Sequence, residues 1–228
     1  MFYVFSTAWI RIDSTFMKYK VTLILFMAIG LEAAEVYSQS PLSGKVEVYN
    51  NRPTIFINNK PEYPMIYSLT DVPGGRWSWE EVPRYNMKSF CNLGIKLIQV
   101  DIAFDHVWKE DGSIVLDTIQ RQLKGVLDIC PEVAILIRFH VNPPKWWQKK
   151  FPEENTVYAD RDSKPDINWG LQRIIEDDEE TPTRFSLASE KWKTEATEKL
   201  IELLSKLKTI PEASALAGIQ VAGGVYGE

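Results

Sequence analysis

The chain has few of the residues on which metal, redox and nucleotide chemistry depend. Its 228 residues include only two histidines and two cysteines, which are too few and too unpaired for a zinc site. Gly74 and Gly75 follow the first strand of the predicted sheet but lack the spacing of a phosphate-binding loop. The net charge of -5 gives no basic excess of the kind that nucleic-acid-binding domains carry. We therefore expect no cofactor, no metal and no nucleic-acid partner.

Aromatic residues, in contrast, are plentiful. The chain contains eight tryptophans and nine tyrosines, and 45% of its residues are hydrophobic, as in an ordinary globular protein. Aromatic side chains fill protein cores, but they also provide flat apolar surfaces on which the C–H faces of pyranose rings pack. Composition alone leaves both interpretations open.

The N-terminal segment has the pattern of a secretory signal. Lys18 and Lys20 precede an apolar stretch, residues 21–30, and small residues then lead to an expected cleavage after Ser38. We expect translation to begin at Met17, which makes residues 1–16 an extension ahead of a signal peptide within 1–38. The alternative is a single N-terminal membrane anchor, although the apolar stretch is short for a membrane span. The preferred interpretation places the protein outside the cytoplasm, secreted or periplasmic, with no membrane span after processing.

The two cysteines lie late in two predicted helices. An even number of cysteines in an exported protein permits a disulfide. Adjacent helices seldom bring Cα atoms within bridging distance, so we predict that Cys91 and Cys130 are two buried thiols.

The remaining sequence predicts two structural parts. Residues 39–62 contain short alternating segments separated by Asn50-Asn51 and Asn58-Asn59, which predicts an N-terminal β-hairpin. In residues 63–228 apolar strands alternate with amphipathic helices. The predicted strands cover 64–69, 95–102, 133–141 and 214–222, and the predicted helices cover 79–93, 114–130 and 189–208.

This alternation predicts an α/β fold with a parallel sheet. Either an open doubly wound sheet or a (β/α)8 barrel fits. A complete barrel takes about 250 residues, so about four β/α units amount to its first half. We therefore expect 63–228 to be a truncated TIM-barrel catalytic domain.

Polar residues stand where the predicted strands end. In barrel enzymes the working residues lie at these carboxyl ends and in the loops that follow. The candidate ligand-binding residues are Tyr67, Asp101, Arg138, His140, Asn142, Trp146, Trp147, Gln220 and Tyr226. Arg138 on an apolar strand needs a partner, and Asp101 on the neighbouring strand is the natural one. This pair is either a structural ion pair or part of a substrate site, and the two tryptophans either stack on a sugar or cap the sheet.

The chain contains, in order, the segments "PTIFINNKPEYPMIYSL", "ILIRFHVNPPKWW", "SLASEKWK" and "GIQVAGGVYGE". Together they resemble the N-terminal half of a β-galactosidase-like glycoside hydrolase, on the family 42 and family 35 side of the retaining clan built on (β/α)8 barrels. The resemblance covers about Val46 to Glu228. It implies a carbohydrate substrate with a β-linkage, expected to be a galactoside.

In that clan the general acid/base is a glutamate after the fourth barrel strand, and Glu228 stands at the matching position, preceded by Gly227 rather than the usual asparagine. The clan's nucleophile is a second glutamate after the seventh strand, which this sequence does not contain. Because a retaining hydrolase needs both carboxylates, about 5–5.5 Å apart, we expect the chain by itself to be inactive and its open sheet edges to associate. The alternatives are a non-catalytic carbohydrate-binding module or pseudo-enzyme, and an open α/β domain of unrelated function.

Overall fold

The computed structural model describes residues 41–69, 74–156 and 185–223. All the described residues belong to one compact unit, Gln39–Glu228. The expected signal segment, residues 1–38, lies outside the described residues. Within the described ranges, no helix has the length and apolar character needed to cross a bilayer.

This unit begins with a small antiparallel sheet. Its strands are β1 (Gly44–Tyr49), β2 (Arg52–Ile57) and β3 (Lys60–Glu62), paired in the order β1-β2-β3. Both turns use an asparagine pair in the left-handed region, with φ of 50° and 59° at Asn50 and Asn51 and of 49° and 62° at Asn58 and Asn59. The predicted hairpin is thus present. The third strand is not in the prediction, because three residues that include Lys60 and Pro61 have no strand pattern.

The larger sheet has four parallel strands in sequential order. They are β4 (Ile66–Ser68), β5 (Leu97–Ala103), β6 (Ala134–His140) and β7 (Leu216–Ala222), and each pairs with the next in the chain. The prediction of an α/β fold with a parallel sheet is confirmed. Sequential order means that all the carboxyl ends, and the segments that follow them, lie along one edge of the sheet.

Helices connect these strands. They are α1 (Glu81–Asn92), α2 (Phe104–Val107), α3 (Asp117–Leu127), α4 (Lys145–Lys150) and α5 (Glu190–Leu207), with 3-10 turns at Pro152–Glu154 and Pro211–Ala215. Ser189, the first residue of the predicted helix 189–208, caps α5, since its hydroxyl accepts a hydrogen bond from the backbone N–H of Trp192 at 2.9 Å. Helix α4 is not among the predicted helices. Pro144 stands immediately before this helix, where its missing N–H is not needed.

One face of the parallel sheet is covered and forms the core. Its side chains on the two central strands are almost completely buried: Ile98, Val100, Ile102, Ile135, Ile137 and Phe139. The ring of Phe139 packs edge-on against Phe104 of α2, which in turn packs against Trp192 of α5. At the other side, Tyr67 of β4 packs against Phe90 of α1, with ring centroids 4.8 Å apart. These contacts place α1, α2 and α5 on the same face, as right-handed crossovers in a sequential parallel sheet require.

The prediction of two free thiols is wrong. Cys91 and Cys130 form a disulfide, and their Cα atoms are 6.3 Å apart. Cys91 lies in the last turn of α1, and Cys130 lies just after α3, where the chain turns back toward β6. Because both helices cover the same sheet face and end at the same edge, their C-terminal ends come within bridging distance.

Candidate functional site

The open face of the parallel sheet carries a row of polar side chains. Asp101 of β5 is in register with Arg138 of β6, which is in register with Gln220 of β7. Two residues further along β6, His140 is in register with Ala103. Side chains alternate between the two faces of a strand, so these polar residues point away from the covered core. We call the following set the polar face: Ser68, Gln99, Asp101, Arg138, His140 and Gln220.

A bidentate ion pair lies at the centre of the polar face. Nε of Arg138 donates to Oδ1 of Asp101 at 2.7 Å, and Nη2 donates to Oδ2 at 2.5 Å. The Asp101 side chain is 2% exposed, whereas that of Arg138 is 27% exposed. The predicted partnership is therefore confirmed: the carboxylate is enclosed, whereas the arginine side chain is partly exposed.

Burial by itself raises the pKa of Asp101, but His140 and Arg138 lower it by more, so the pKa lies below its ordinary value of 3.8. The contribution of Arg138 is the firmer one, because Nε2 of His140 is 3.7 Å from Oδ2 and beyond hydrogen-bonding distance. Asp101 is therefore ionised at neutral pH. Its stabilising contribution is present above pH 4 and is lost as the pH falls through the lowered pKa.

His140 has an unsatisfied ring nitrogen. Its Nε2 atom is buried and has no hydrogen-bond partner among the described residues. A buried polar atom without a partner is costly, and such atoms in native proteins commonly await a ligand, an ion or water. In this position Nε2 borders both the ion pair and the carboxyl end of β6.

Amide and hydroxyl groups continue the polar face on both sides. The hydroxyl of Ser68 on β4 donates to Oε1 of Gln99 at 2.9 Å, and Nε2 of Gln99 donates to Oε1 of Gln220 at 3.1 Å. The second bond joins β5 to β7 across the intervening β6. The four strands thus contribute to one connected polar surface.

Next to the carboxyl end of β5, the segment between β4 and α1 contributes a stack of aromatic rings. Trp77 and Trp79 are parallel, with centroids 4.8 Å apart and an interplanar angle of 6°. The guanidinium of Arg121 lies 3.9 Å from the centroid of Trp79, and the ring of His106 meets Trp77 edge-on at 5.0 Å. We call Arg121, Trp79, Trp77 and His106 the aromatic column. It runs from the exposed surface of α3 to the carboxyl end of β5.

A buried glutamine of α3 holds the backbone on both sides of Trp77. Oε1 of Gln122 accepts from the N–H of Ser78 at 2.8 Å, and Nε2 donates to the carbonyl of Arg76 at 3.0 Å. Gln122 and Ser78 are completely buried. The N–H of Trp77 itself donates to Oε2 of Glu80 at 2.7 Å. These bonds fix the column against the outer helix layer.

The structure separates the predicted site residues into groups. Asp101, Arg138, His140 and Gln220 come together on the polar face, and Asn142 follows β6 at the same edge. Tyr226 and Glu228 lie outside the described residues, so their placement stays a prediction.

Two predicted residues are corrected. Tyr67 points to the covered face and packs on Phe90, because the neighbouring Ser68 takes the open side of the same strand. Trp147 is completely buried and packs against Trp192 and Phe151, so neither face of its ring is available to a sugar. Its indole N–H donates to Oε2 of Glu195 at 2.7 Å.

Trp146 is neither fully buried like Trp147 nor part of the polar face. It is half-buried, its indole N–H donates to the carbonyl of Trp108 at 3.2 Å, and its ring meets that of Trp108 edge-on at 5.3 Å. Of the two tryptophans in "PPKWW", Trp147 therefore belongs to the core beside α5. Within the described residues these contacts join Trp146 to Trp108 rather than to the ion pair, and its role as a sugar platform stays a prediction.

Ser68, Gln99 and His106 also lie at or just beyond the predicted strand ends, so the sequence indicated their position although they were not among the candidate ligand-binding residues. Trp77 was not predicted. Strict alternation along β5 was the available signal for Gln99, which is two residues from Asp101 and hence on the same face. Ser68 is the last residue of β4 and lies on the same face as Gln99, with which it is in register. Nothing local marks Trp77, because its place depends on Gln122, 45 positions later in the sequence.

A separate shallow pocket of about 250 Å³ lies at the opposite, amino end of the sheet, between Ile57 and Lys60 of the small sheet and Lys96 and Glu132. It is far from the polar face and contains none of the predicted site residues. Within the described ranges, no group of three or more histidine, cysteine, aspartate or glutamate side chains is arranged to hold a metal.

The chain matches no protein-family model and no curated protein sequence.

Proposed function

We propose that the parallel sheet is the first half of a (β/α)8 barrel and that the protein belongs to a secreted retaining glycoside hydrolase that cleaves β-linked sugars, namely β-galactosides. One observation supports this above the others. Four sequential parallel strands have helices on one face and a connected polar face, with a buried ion pair and an unsatisfied histidine nitrogen, on the other.

Strand order supports a barrel over a doubly wound sheet. In a doubly wound sheet the strand order reverses at a switch point and helices cover both faces. Here the order is sequential, and the bond from Gln99 to Gln220 spans an intervening strand, which is favoured when the sheet curves toward that face. The interior of a barrel is where such a concave face belongs.

Exposed apolar residues at the two outer strands also support an incomplete sheet. Ile66 of β4 is 39% exposed and Val221 of β7 is 57% exposed, whereas the residues at matching positions of β5 and β6 are buried. In a closed barrel further strands and helices cover these positions.

The polar face is suited to hold a sugar rather than to cleave it. Arg138 and His140 offer a donor and a ring nitrogen to hydroxyl groups, and Asp101 keeps the guanidinium oriented. In the proposed reaction Glu228 protonates the leaving oxygen, which requires burial to raise its pKa, and the nucleophile comes from the barrel's second half. The chain alone should therefore bind a galactoside without hydrolysing it.

The test combines sedimentation with binding and hydrolysis. We expect the full chain to sediment as a dimer or larger species, to bind lactose, and to show no turnover of an aryl β-galactoside. Joining a C-terminal half from a related galactosidase should reduce the association first and then give turnover that Glu228→Gln abolishes. A monomer that unfolds cooperatively and binds no sugar would refute the proposal. Lactose binding with no turnover in any completed form would instead favour a carbohydrate-binding module.

A further inference from the structure

We infer that His106 donates a hydrogen bond from its Nε2–H to a hydroxyl oxygen of a neutral polyol ligand at the carboxyl end of the sheet. The aromatic column holds the ring, and its tautomer is fixed. The inference rests on the proposed function, because it assumes that this edge of the sheet binds a sugar. It adds a specificity-determining residue to that site, whose matching partner is a hydroxyl oxygen.

The tautomer follows from one backbone contact. Nδ1 of His106 accepts a hydrogen bond from the N–H of Ala103 at 3.0 Å. A nitrogen that accepts carries no proton, so the neutral ring must carry its proton on Nε2. Ala103 is the last residue of β5, and the bond therefore ties the ring to the strand that carries Asp101.

The aromatic column restrains the orientation of the ring. Trp77 meets the imidazole at 5.0 Å, Trp79 stacks behind Trp77, and Arg121 closes the far end. Gln122 fixes the peptide groups on either side of Trp77. A donor that is already oriented loses little entropy on binding, which is the condition for a useful specificity contact.

The Nε2 atom has no acceptor within the described ranges. His106 is half-buried, and the hydrogen bond between its ring and Ala103 uses Nδ1. Within the described residues its Nε2 makes no hydrogen bond, so its N–H can donate to a ligand. The unsatisfied Nε2 of His140 is at the same edge, and the two histidines are close enough to affect each other electrostatically.

The ring is also neutral at physiological pH. Burial lowers the pKa of His106 to about 4, and nearby Arg76 lowers it as well, whereas Asp105 raises it and His140 and Lys109 lower it slightly. A neutral donor adds no charge attraction for an anion, in contrast to the guanidinium of Arg138. The matching ligand group is the oxygen of an alcohol or a sugar ring.

The first experiment reads the tautomer directly. Nitrogen-15 NMR of the full chain is simple to assign, because the sequence has only two histidines and His140→Gln leaves His106 alone. We expect a neutral ring with the proton on Nε2 throughout the range from about pH 5 to 8. A proton on Nδ1, or a charged imidazolium at neutral pH, would overturn the inference whatever the ligand is.

The second experiment tests the contact with lactose as the probe. His106→Gln keeps a donor, and His106→Met has similar size without one. We expect His106→Met to weaken lactose binding about five- to tenfold, as loss of one neutral hydrogen bond predicts, and His106→Gln to stay within about twofold of the wild type. Tyr85→Ala, an exposed aromatic on α1, is the control that should leave binding unchanged.

The outcomes separate the two proposals. Wild-type binding that His106→Met leaves unaltered would overturn the role of His106 and leave the sugar site intact. Absence of lactose binding by the wild type would overturn both. If His106→Met unfolds, equal loss of binding in a folded His106→Gln would overturn the donor role, because glutamine retains an N–H.

Discussion

The two faces of the parallel sheet share the same strands but differ in what covers them and in the contacts that stabilise them. On β5, Ile98, Val100 and Ile102 are completely buried under helices, while the alternate positions Gln99 and Asp101 form polar contacts on the open side. The covered face is stabilised by dispersion and burial, which are non-directional. The open face is stabilised by a few directional bonds, each of which fails completely if one partner is lost.

Because of this difference, the open face is the candidate functional face. A buried ion pair often contributes no more to stability than apolar residues of similar size. The presence of Asp101 and Arg138 on otherwise apolar strands therefore agrees with the proposed ligand site. The following experiments test the contrast between the faces.

The largest expected effect comes from breaking the ion pair. Arg138→Leu leaves the Asp101 carboxylate buried and unpaired, and we expect a loss of about 3–5 kcal/mol in the free energy of unfolding. Adding Asp101→Leu should restore most of this loss, since no buried charge remains. Urea unfolding at one fixed protein concentration measures both. If the double variant is as unstable as the single one, the two residues are not coupled and the open face is not distinct in this way.

A smaller loss is expected on the covered face, from the disulfide that ties α1 to the end of α3. Replacing Cys91 and Cys130 with serine should cost about 3 kcal/mol, because the unfolded chain regains the freedom of the loop between them. Lactose binding should persist, since neither cysteine contacts the polar face. Binding that disappears while the protein stays folded would show that the helix layer and the site are not independent.

The lowered pKa of His106 predicts that the free energy of unfolding depends on pH. Its folded pKa of about 4 is below the unfolded value of 6.5, so the unfolded state binds more protons between those values. Stability should fall by about 2 kcal/mol as the pH drops from 6.5 to 4, after discounting for the partial exposure of the ring. The charged or titratable neighbours that set this value are Arg76, Asp105, His140 and Lys109. His106→Gln should flatten the profile in this interval, and an unchanged profile would contradict the buried neutral ring.

The smallest effect concerns the cap of α5 on the covered side. Ser189 accepts from Trp192 N–H and donates to Glu154 at 2.6 Å, so Ser189→Ala should cost about 1 kcal/mol by urea unfolding. Ser189→Asp keeps the capping acceptor but faces the Glu154 carboxylate, and it should recover only part of the loss. Full recovery would show that the bond to Glu154 contributes nothing.

Much of the fold follows from local patterns in the sequence. The asparagine pairs predict the hairpin turns, Ser189 predicts the start of α5, and the alternation of apolar strands with helices predicts a parallel sheet. In the site, an arginine on an apolar strand demands a partner, and only Asp101 on the neighbouring strand fits. These features depend on backbone preference and on the cost of burying polar groups, which the residues themselves carry.

Other features depend on distances that no local pattern contains. The disulfide forms because two helix ends lie close together. Trp147 is buried because Trp192 of α5 packs against it. Tyr67 faces the helices because Ser68, the next residue, lies on the open side. His106 is held by Trp77, which is itself placed by Gln122 from a third element. The sequence by itself determined the four parallel strands, the three longer helices and the central ion pair, because these follow from periodicity and the cost of unpaired charge. Tertiary packing alone decided which aromatics became core and which histidine nitrogen was left free, because those outcomes depend on contacts between residues far apart in the chain.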